Sequence, residues 1–287
     1  MAEYENPTIP EGINVSPTHP LKEFALLLAG ISSLIVVSVL VLSLVAGYLV
    51  RFVSFAQEKA LISGIETHWV NQRRVASPDK QRYLQALAER LAKAMNLPAD
   101  MSITVHHSAD ESVNAMATLG GHIVVFQGLI DALPNENALA MVLAHEISHV
   151  QRRHPIVAMG RGFTVALALS GLSGFGDGMM QQWLGSMGML PILSFSRSQE
   201  AEADGDALQA LLKTYGHVEG AEALFTYLDR QKNLPHPPQL LSTHPGHEER
   251  IERIRRFAQQ RRAETIPALQ PLPDYLKTAG KSDITGR

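Results

Sequence analysis

The chain reads as an α+β protein, mainly helical, with a small β-sheet beside one central helix and a single apolar helix ahead of the folded domain. Three observations carry that reading. No charged residue interrupts the run from Phe24 to Val50. Three short segments between residues 102 and 126 have the alternation and β-branched content of strands. Met141–Val150 carries two histidines four positions apart within a helix-period pattern of apolar residues.

Composition narrows the field before any motif is read. At 287 residues and 45% apolar content, the chain can build one sizeable core with extras. A net charge of −3 points to no polyanionic partner. The Arg-rich run from Arg250 to Arg262 is interleaved near its start with Glu249 and Glu252, the pattern of a solvated helix face, so nucleic-acid binding is not expected. With no cysteine, disulfides and thiolate-zinc sites are excluded.

Residues 1–23, with Pro7, Pro10, Pro17 and Pro20, are too polar to bury a core and are expected to form a flexible tail. About 20 apolar residues cross a bilayer, so residues 24–50 form an uncleaved transmembrane helix. It lacks the basic start and small-residue cleavage site of a signal peptide. Arg51 and Lys59 outnumber Lys22 at the flanks, which leans the C-terminal domain to the cytoplasmic side of a bacterial inner membrane, with the periplasmic side as the alternative.

Residues 51–76 are expected to form a connecting helix. Ser77 caps the next helix, with Pro78 at its first position. Its apolar face is Leu84, Leu87, Leu91 and Met95. Strands are expected at 102–106, 113–118 and 122–126, with Gly120-Gly121 leading into the last. Asn135 caps the motif helix, with Glu136 favourably placed at its N-terminus. Leu139, Leu143, Ile147 and Val150 form its buried stripe, leaving the histidine face to a cleft, and the helix runs on to Pro155. Residues 156–195, apolar and rich in glycine and methionine, suit a buried or membrane-facing helix pair. A strong helix starts near Ser196 and ends near Gly216. The main domain spans 77–262, and residues 263–287 form a Pro-rich tail that drapes on the surface or is mobile.

The chemistry begins at His145-Glu146-Ile-Ser-His149. Side chains four apart stack on one helical face, so His145 and His149 can present two imidazoles to one ion. Glu146 lies about 100° further round, placed to take a proton from water polarised by that ion. A catalytic zinc needs a third protein ligand. The pattern that places a third histidine after H-E-x-x-H-x-x-G is excluded, because Arg152 stands at its glycine and Pro155 at its histidine. The alternative is a carboxylate from a later helix. Glu200 and Asp204, four apart on Ser196–Leu212, share a face, so one can bind zinc while the other accepts an imidazole N–H. Glu202 points elsewhere and is expected to be solvated. His244, in the loop after Pro237-Pro238, either is structural or reaches the metal, stabilising an oxyanion or filling the open position at rest. His106, His107, His122, His217, His236 and His247 offer no usable spacing.

His145-Glu146-x-x-His149-Val-x-x-Arg153-His154, then Ser196-Arg-x-x-Glu200-x-x-x-Asp204, resembles the gluzincin zinc metallopeptidases of the HtpX and CAAX-prenyl-protease family. So do the Gly-Gly-His-Ile strand and Ser242-Thr-His244-Pro245. The match runs in order from about residue 80 to 260. It implies a zincin-like peptidase domain holding one Zn2+ on His145, His149 and Glu200, with Glu146 as base and Asp204 behind the ligands. HtpX-type members carry paired membrane helices between the two motifs. This chain has only the weaker apolar stretch there, so it is closer to the single-anchor, BepA-like or mitochondrial stress-protease-like members.

The expected function is therefore a membrane-anchored metalloendopeptidase acting in quality control of membrane or misfolded proteins. Its polypeptide substrate would lie extended along an edge strand near His122–Phe126. CAAX-type processing, or a non-proteolytic chaperone or binding role, are the alternatives. Oligomeric state is not legible.

Overall fold

A computed structural model describes residues 19–62, 77–173, 195–231, 240, 244, 247–261 and 268–278. Sequence expectations for residues 1–18, for 63–76 of the connecting helix, for 174–194 and for 279–287 lie outside the described residues.

Helix α1 (Pro20–Leu49) is long and apolar enough to cross a membrane. Its large side chains, Leu27, Leu34 and Leu42 among them, are exposed. An apolar surface of this extent calls for a non-aqueous neighbour. A 3-10 turn (Val50–Phe52) follows, and then α2, described over 55–62.

Helix α3 (Pro78–Ala94) starts with Pro78 in its first turn, where a missing N–H costs nothing. Ser77 sits at the cap position but its side chain makes no capping bond, contrary to expectation. Leu84, Leu87 and Leu91 are buried at helical spacing. Strands β1 (Thr104–Ser108), β2 (Ala115–Ala117) and β3 (His122–Phe126) form one mixed sheet in the order β1-β3-β2. β3 pairs in parallel with β1, with Thr104 opposite His122, and antiparallel with β2, with Ala117 opposite Ile123. This corrects one expectation: His122–Phe126 is the central strand, with both edges paired, and cannot offer an edge to a substrate.

The two edges differ. On β1, Gln81 and Gln85 of α3 bond the outer backbone: Gln81 accepts from the His107 N–H at 2.8 Å, and Gln85 accepts from the Val105 N–H at 2.9 Å. Both also donate back, to the Val105 and Ile103 carbonyls. Side chains thus close that edge. On β2, Asn114 and Thr118 bond inward to Phe126 and His122. By antiparallel alternation the backbone groups of Ala115 and Ala117 face away from β3. The turn into β3 needs glycine. Gly121 has φ +83°, and a Cβ there would lie 2.0 Å from the Ser102 carbonyl oxygen.

After the short α4 (Gln127–Ala132), Asn135 caps α5 (Glu136–Gln151) by accepting from the Ala138 N–H at 2.9 Å. Every residue of α5 from Asn137 to Val150 is buried. The expected open histidine face is therefore covered. Helix α3, strand β2 and α7 (Arg197–Tyr215) all pack against α5, and α3 also packs against α7. The helix also stops earlier than expected. Arg153 takes φ +61°, a left-handed geometry that costs a non-glycine residue about 1–2 kcal/mol, and α6 (His154–Ser173) starts anew with Pro155 in its first turn.

Helix α7 opens with a capping box, Ser196 accepting from Gln199 N–H and Gln199 accepting from Ser196 N–H, and ends at Gly216 with φ +78°. Helices α8 (Ala223–Gln231) and α9 (His247–Gln260) complete the wall around it. The segment 268–278 is docked: Leu272 and Leu276 are buried, and Lys277 Nζ donates to the carbonyls of Ile130, Asp131 and Leu133 at the end of α4.

Candidate metal centre

Four buried side chains converge between α5 and α7. His145, His149, Glu200 and His244 bring one ligand atom each within 4.8 Å of one another. His145 Nε2 is 3.0 Å from His149 Nε2 and 3.4 Å from Glu200 Oε2, and His149 Nε2 is 3.5 Å from Glu200 Oε1. His244 Nδ1 stands 3.0 Å from Glu200 Oε1 and 3.3 Å from His145 Nε2. Four ligands about 2.0 Å from a tetrahedral zinc sit roughly 3.3 Å from each other. The donor set therefore fits zinc in both chemistry and spacing.

The tautomers agree with that fit. His145 Nδ1 lies 3.0 Å from Asp204 Oδ1, so this nitrogen donates its N–H to the carboxylate and Nε2 is the nitrogen turned toward the cluster. His149 Nδ1 meets His154 Nδ1 at 2.8 Å, and its ring stacks on Phe195 with centroids 3.9 Å apart. Three buried carboxylates, Glu146, Glu200 and Asp204, gather here with the buried Arg250 guanidinium, and Arg253 Nη1 stands 3.7 Å from Asp204 Oδ2.

The electrostatics divide the two histidines. Burial and the Arg250 charge oppose protonation of His145, yet hydrogen bonds to Asp204 and Glu200 outweigh both and raise it to about 9. Burial dominates at His149 and holds it well below the usual histidine value. Burial, helped by Arg152, brings His154 down to about 4. For Glu200, burial works against ionisation, but His244 and the two motif histidines hold it far below the carboxylate range. Asp204 is likewise lowered to about 2, against its burial, chiefly by Arg250.

Glu146 borders the cluster. Its Oε2 accepts from the Ala117 N–H of β2 at 2.7 Å, which fixes the carboxylate against the strand. Its Oε1 is buried without a hydrogen-bond partner among the described residues, 3.6 Å from His244 Nε2. A buried carboxylate oxygen left this way is a ready proton acceptor.

Arg250 departs from the solvated face that its charge-rich segment suggests. It is buried: Nε and Nη2 fork onto Asp204 at 2.8 and 2.7 Å, Nη1 reaches Glu200 Oε2 at 2.7 Å, and the guanidinium lies over the Phe225 ring. The signal was available, since Arg250, Ile254 and Phe257 fall at i, i+4 and i+7 on the stripe of α9 that packs on the core. His154 and Phe195 were also missed. The remaining histidines are not all idle, for His106 Nε2 and His122 Nδ1 pair at 2.8 Å across β1 and β3. Glu202 is half-exposed and pairs with Arg152 at 3.0 Å.

The model of peptidase family M48 matches residues 78–258, which contain every residue of this cluster. The chain belongs to peptidase family M48. It is 29% identical over 205 residues to the beta-barrel assembly-enhancing protease of Escherichia coli, covering 66% of this chain and 41% of that protein. It is similar to the mitochondrial metalloendopeptidase OMA1 of Schizosaccharomyces pombe, 29% identical over 66% of this chain and 58% of the relative. Metalloprotease YcaL of Escherichia coli is 29% identical over 60% of this chain and 67% of its own length. The chain thus spans about two fifths to three fifths of the first two. The expected resemblance to BepA-like and mitochondrial members holds, and so does the mainly helical fold with its small sheet.

Proposed function

We propose that this chain is a membrane-anchored zinc metalloendopeptidase that hydrolyses peptide bonds in quality control of membrane or misfolded proteins. The observation that carries this reading is the buried meeting of His145, His149 and Glu200 beside a Glu146 Oε1 with no hydrogen-bond partner among the described residues. His145, His149 and Glu200 would hold the ion, which when bound polarises the scissile carbonyl and acidifies water. Glu146 takes the proton at Oε1 and later gives it to the leaving amine. The Ala117 amide keeps Glu146 from swinging away. Asp204 holds the His145 tautomer, and Arg250 holds Asp204 and Glu200 in place.

The substrate is an extended polypeptide lying along β2, not β3. The β1 edge is closed by Gln81 and Gln85, whereas the outward N–H of Ala117 on β2 bonds the Glu146 carboxylate, which sets that strand beside the proposed base. His244 would supply a further ligand at rest, as the approach of its Nδ1 to Glu200 and His145 supports. Arg51 and Lys59 favour a cytoplasmic domain, which protease protection in sealed vesicles would check.

The test is Glu146→Gln. It should keep zinc while casein turnover falls by about 10²–10⁴-fold or more, the usual weight of a general acid–base. A variant that still cuts at the wild-type rate refutes the assignment.

A further inference from the structure

The family match starts at residue 78, yet a residue ahead of it bonds both the turn into β3 and the joint after the motif helix. Glu58, on α2, is 3% exposed. Its Oε1 accepts from the Gly120 N–H at 2.7 Å, in the turn that launches β3. Its Oε2 accepts from Arg153 Nε at 2.8 Å, and Arg153 Nη2 also donates to the Val53 carbonyl at 2.9 Å. One carboxylate thus ties the segment after the membrane helix to the sheet and to the joint between α5 and α6. Arg153 is the left-handed residue of that joint, and the guanidinium lies 5.8 Å over the Phe55 ring. The residue it delivers next is His154, whose Nδ1 meets His149 Nδ1 at 2.8 Å.

Proton placement gives the contact a direction. If His149 offers Nε2 to the ion, its Nδ1 carries the hydrogen and His154 Nδ1 accepts it. The hydrogen of His154 is then on Nε2, which faces Glu202 Oε2 at 4.0 Å. His145 has a carboxylate behind it on α7. His149 has a residue whose position is set by the α5–α6 joint.

We propose that the membrane-proximal segment, residues 53–62, is a positioning element of the metal centre: Glu58 fixes Arg153, Arg153 fixes the start of α6, and His154 there orients His149. The catalytic unit therefore begins before residue 77, and strain on the segment leaving the membrane reaches the ion through one ligand. This rests on the metallopeptidase reading in taking His149 as a ligand.

The test uses the full chain in nanodiscs. Zinc loss to excess chelator is timed for wild type, His154→Phe, His154→Asn, Arg153→Ala and Glu58→Gln, with the exposed Arg82→Ala as control, and kcat and KM are measured on one peptide. Partners that orient metal ligands are typically worth about 10–100-fold in affinity or activity. His154→Phe should lose zinc that much faster, and His154→Asn, which keeps an acceptor, should recover part of the loss. Arg153→Ala and Glu58→Gln should lose zinc roughly tenfold faster, at the low end of that range, with kcat lowered more than KM is raised. If Arg153→Ala does not fold, Glu58→Gln still decides, because its amide oxygen can keep the Gly120 bond. Wild-type zinc retention in Glu58→Gln and Arg153→Ala, even with a lower melting temperature, would make the brace purely structural and overturn the inference. A wild-type chain that binds no zinc would instead overturn the metallopeptidase reading beneath it.

Discussion

His145 and His149 come from one helix turn and one motif, yet the protein surrounds them in opposite ways. Behind His145 stands an ionic wall: Asp204 at 3.0 Å, itself clasped by the buried Arg250. Behind His149 stand a neutral imidazole at 2.8 Å and the face of Phe195. The first histidine is raised to about 9 and the second is held well below its usual value. A motif spacing fixes which nitrogens can meet an ion. What lies one layer out decides how basic each is and which part of the chain controls it.

The largest break in that comparison is Asp204→Ala. It strips the carboxylate from His145 and leaves Arg250 buried with only Glu200 to pair. Losing one partner of a buried ion pair costs about 3–5 kcal/mol, and losing a ligand's orienting group costs roughly 10–100-fold in metal affinity. Denaturant unfolding and zinc titration should show both losses. A surface-like change of under about 0.5 kcal/mol would show that the ionic wall does not matter.

A pH series gives a smaller and sharper effect. His145 is raised from 6.5 to about 9, so its protonated form stabilises the metal-free fold fully below pH 6.5, and that contribution is lost as pH rises through about 9. With His145 as a proposed ligand, zinc displaces this proton. Between pH 6.5 and 9, calorimetry in buffers of different ionisation heat should therefore register release of about one proton per zinc, with affinity rising with pH. His149, already neutral, contributes none. Zero proton uptake or release would erase the distinction between the two histidines.

The smallest expected effect on zinc is that of His244→Ala. His244 leans on Glu200 and His145, and the three proposed ligands remain without it. Zinc content should stay near wild type while turnover changes. Unchanged turnover would reduce His244 to a packing residue.

Much of this was legible in the chain. The H-E-x-x-H spacing, the Glu200/Asp204 pair and the helix bounds at Asn135 and Gly216 are local signals, set by helical period and cap chemistry, and they transfer to three dimensions. What escaped was long-range. Strand order is invisible in the alternation of His122–Phe126, so the pattern alone does not distinguish this central strand from an edge. Arg250 was hidden by a charge-rich helix whose acidic neighbours suggested solvent, although its spacing to Ile254 and Phe257 marks the buried stripe. The helix break at Arg153 has no glycine to announce it, because Glu58, 95 residues earlier, holds the strained backbone in place.

The account stands or falls on one ion shared by His145, His149 and Glu200. The most direct measurement is the zinc content of Glu200→Ala after dialysis against a chelator that leaves wild type with one zinc per chain. The account predicts a folded chain that loses its zinc and its peptidase activity together. Stoichiometric zinc retained in Glu200→Ala with wild-type affinity would contradict it.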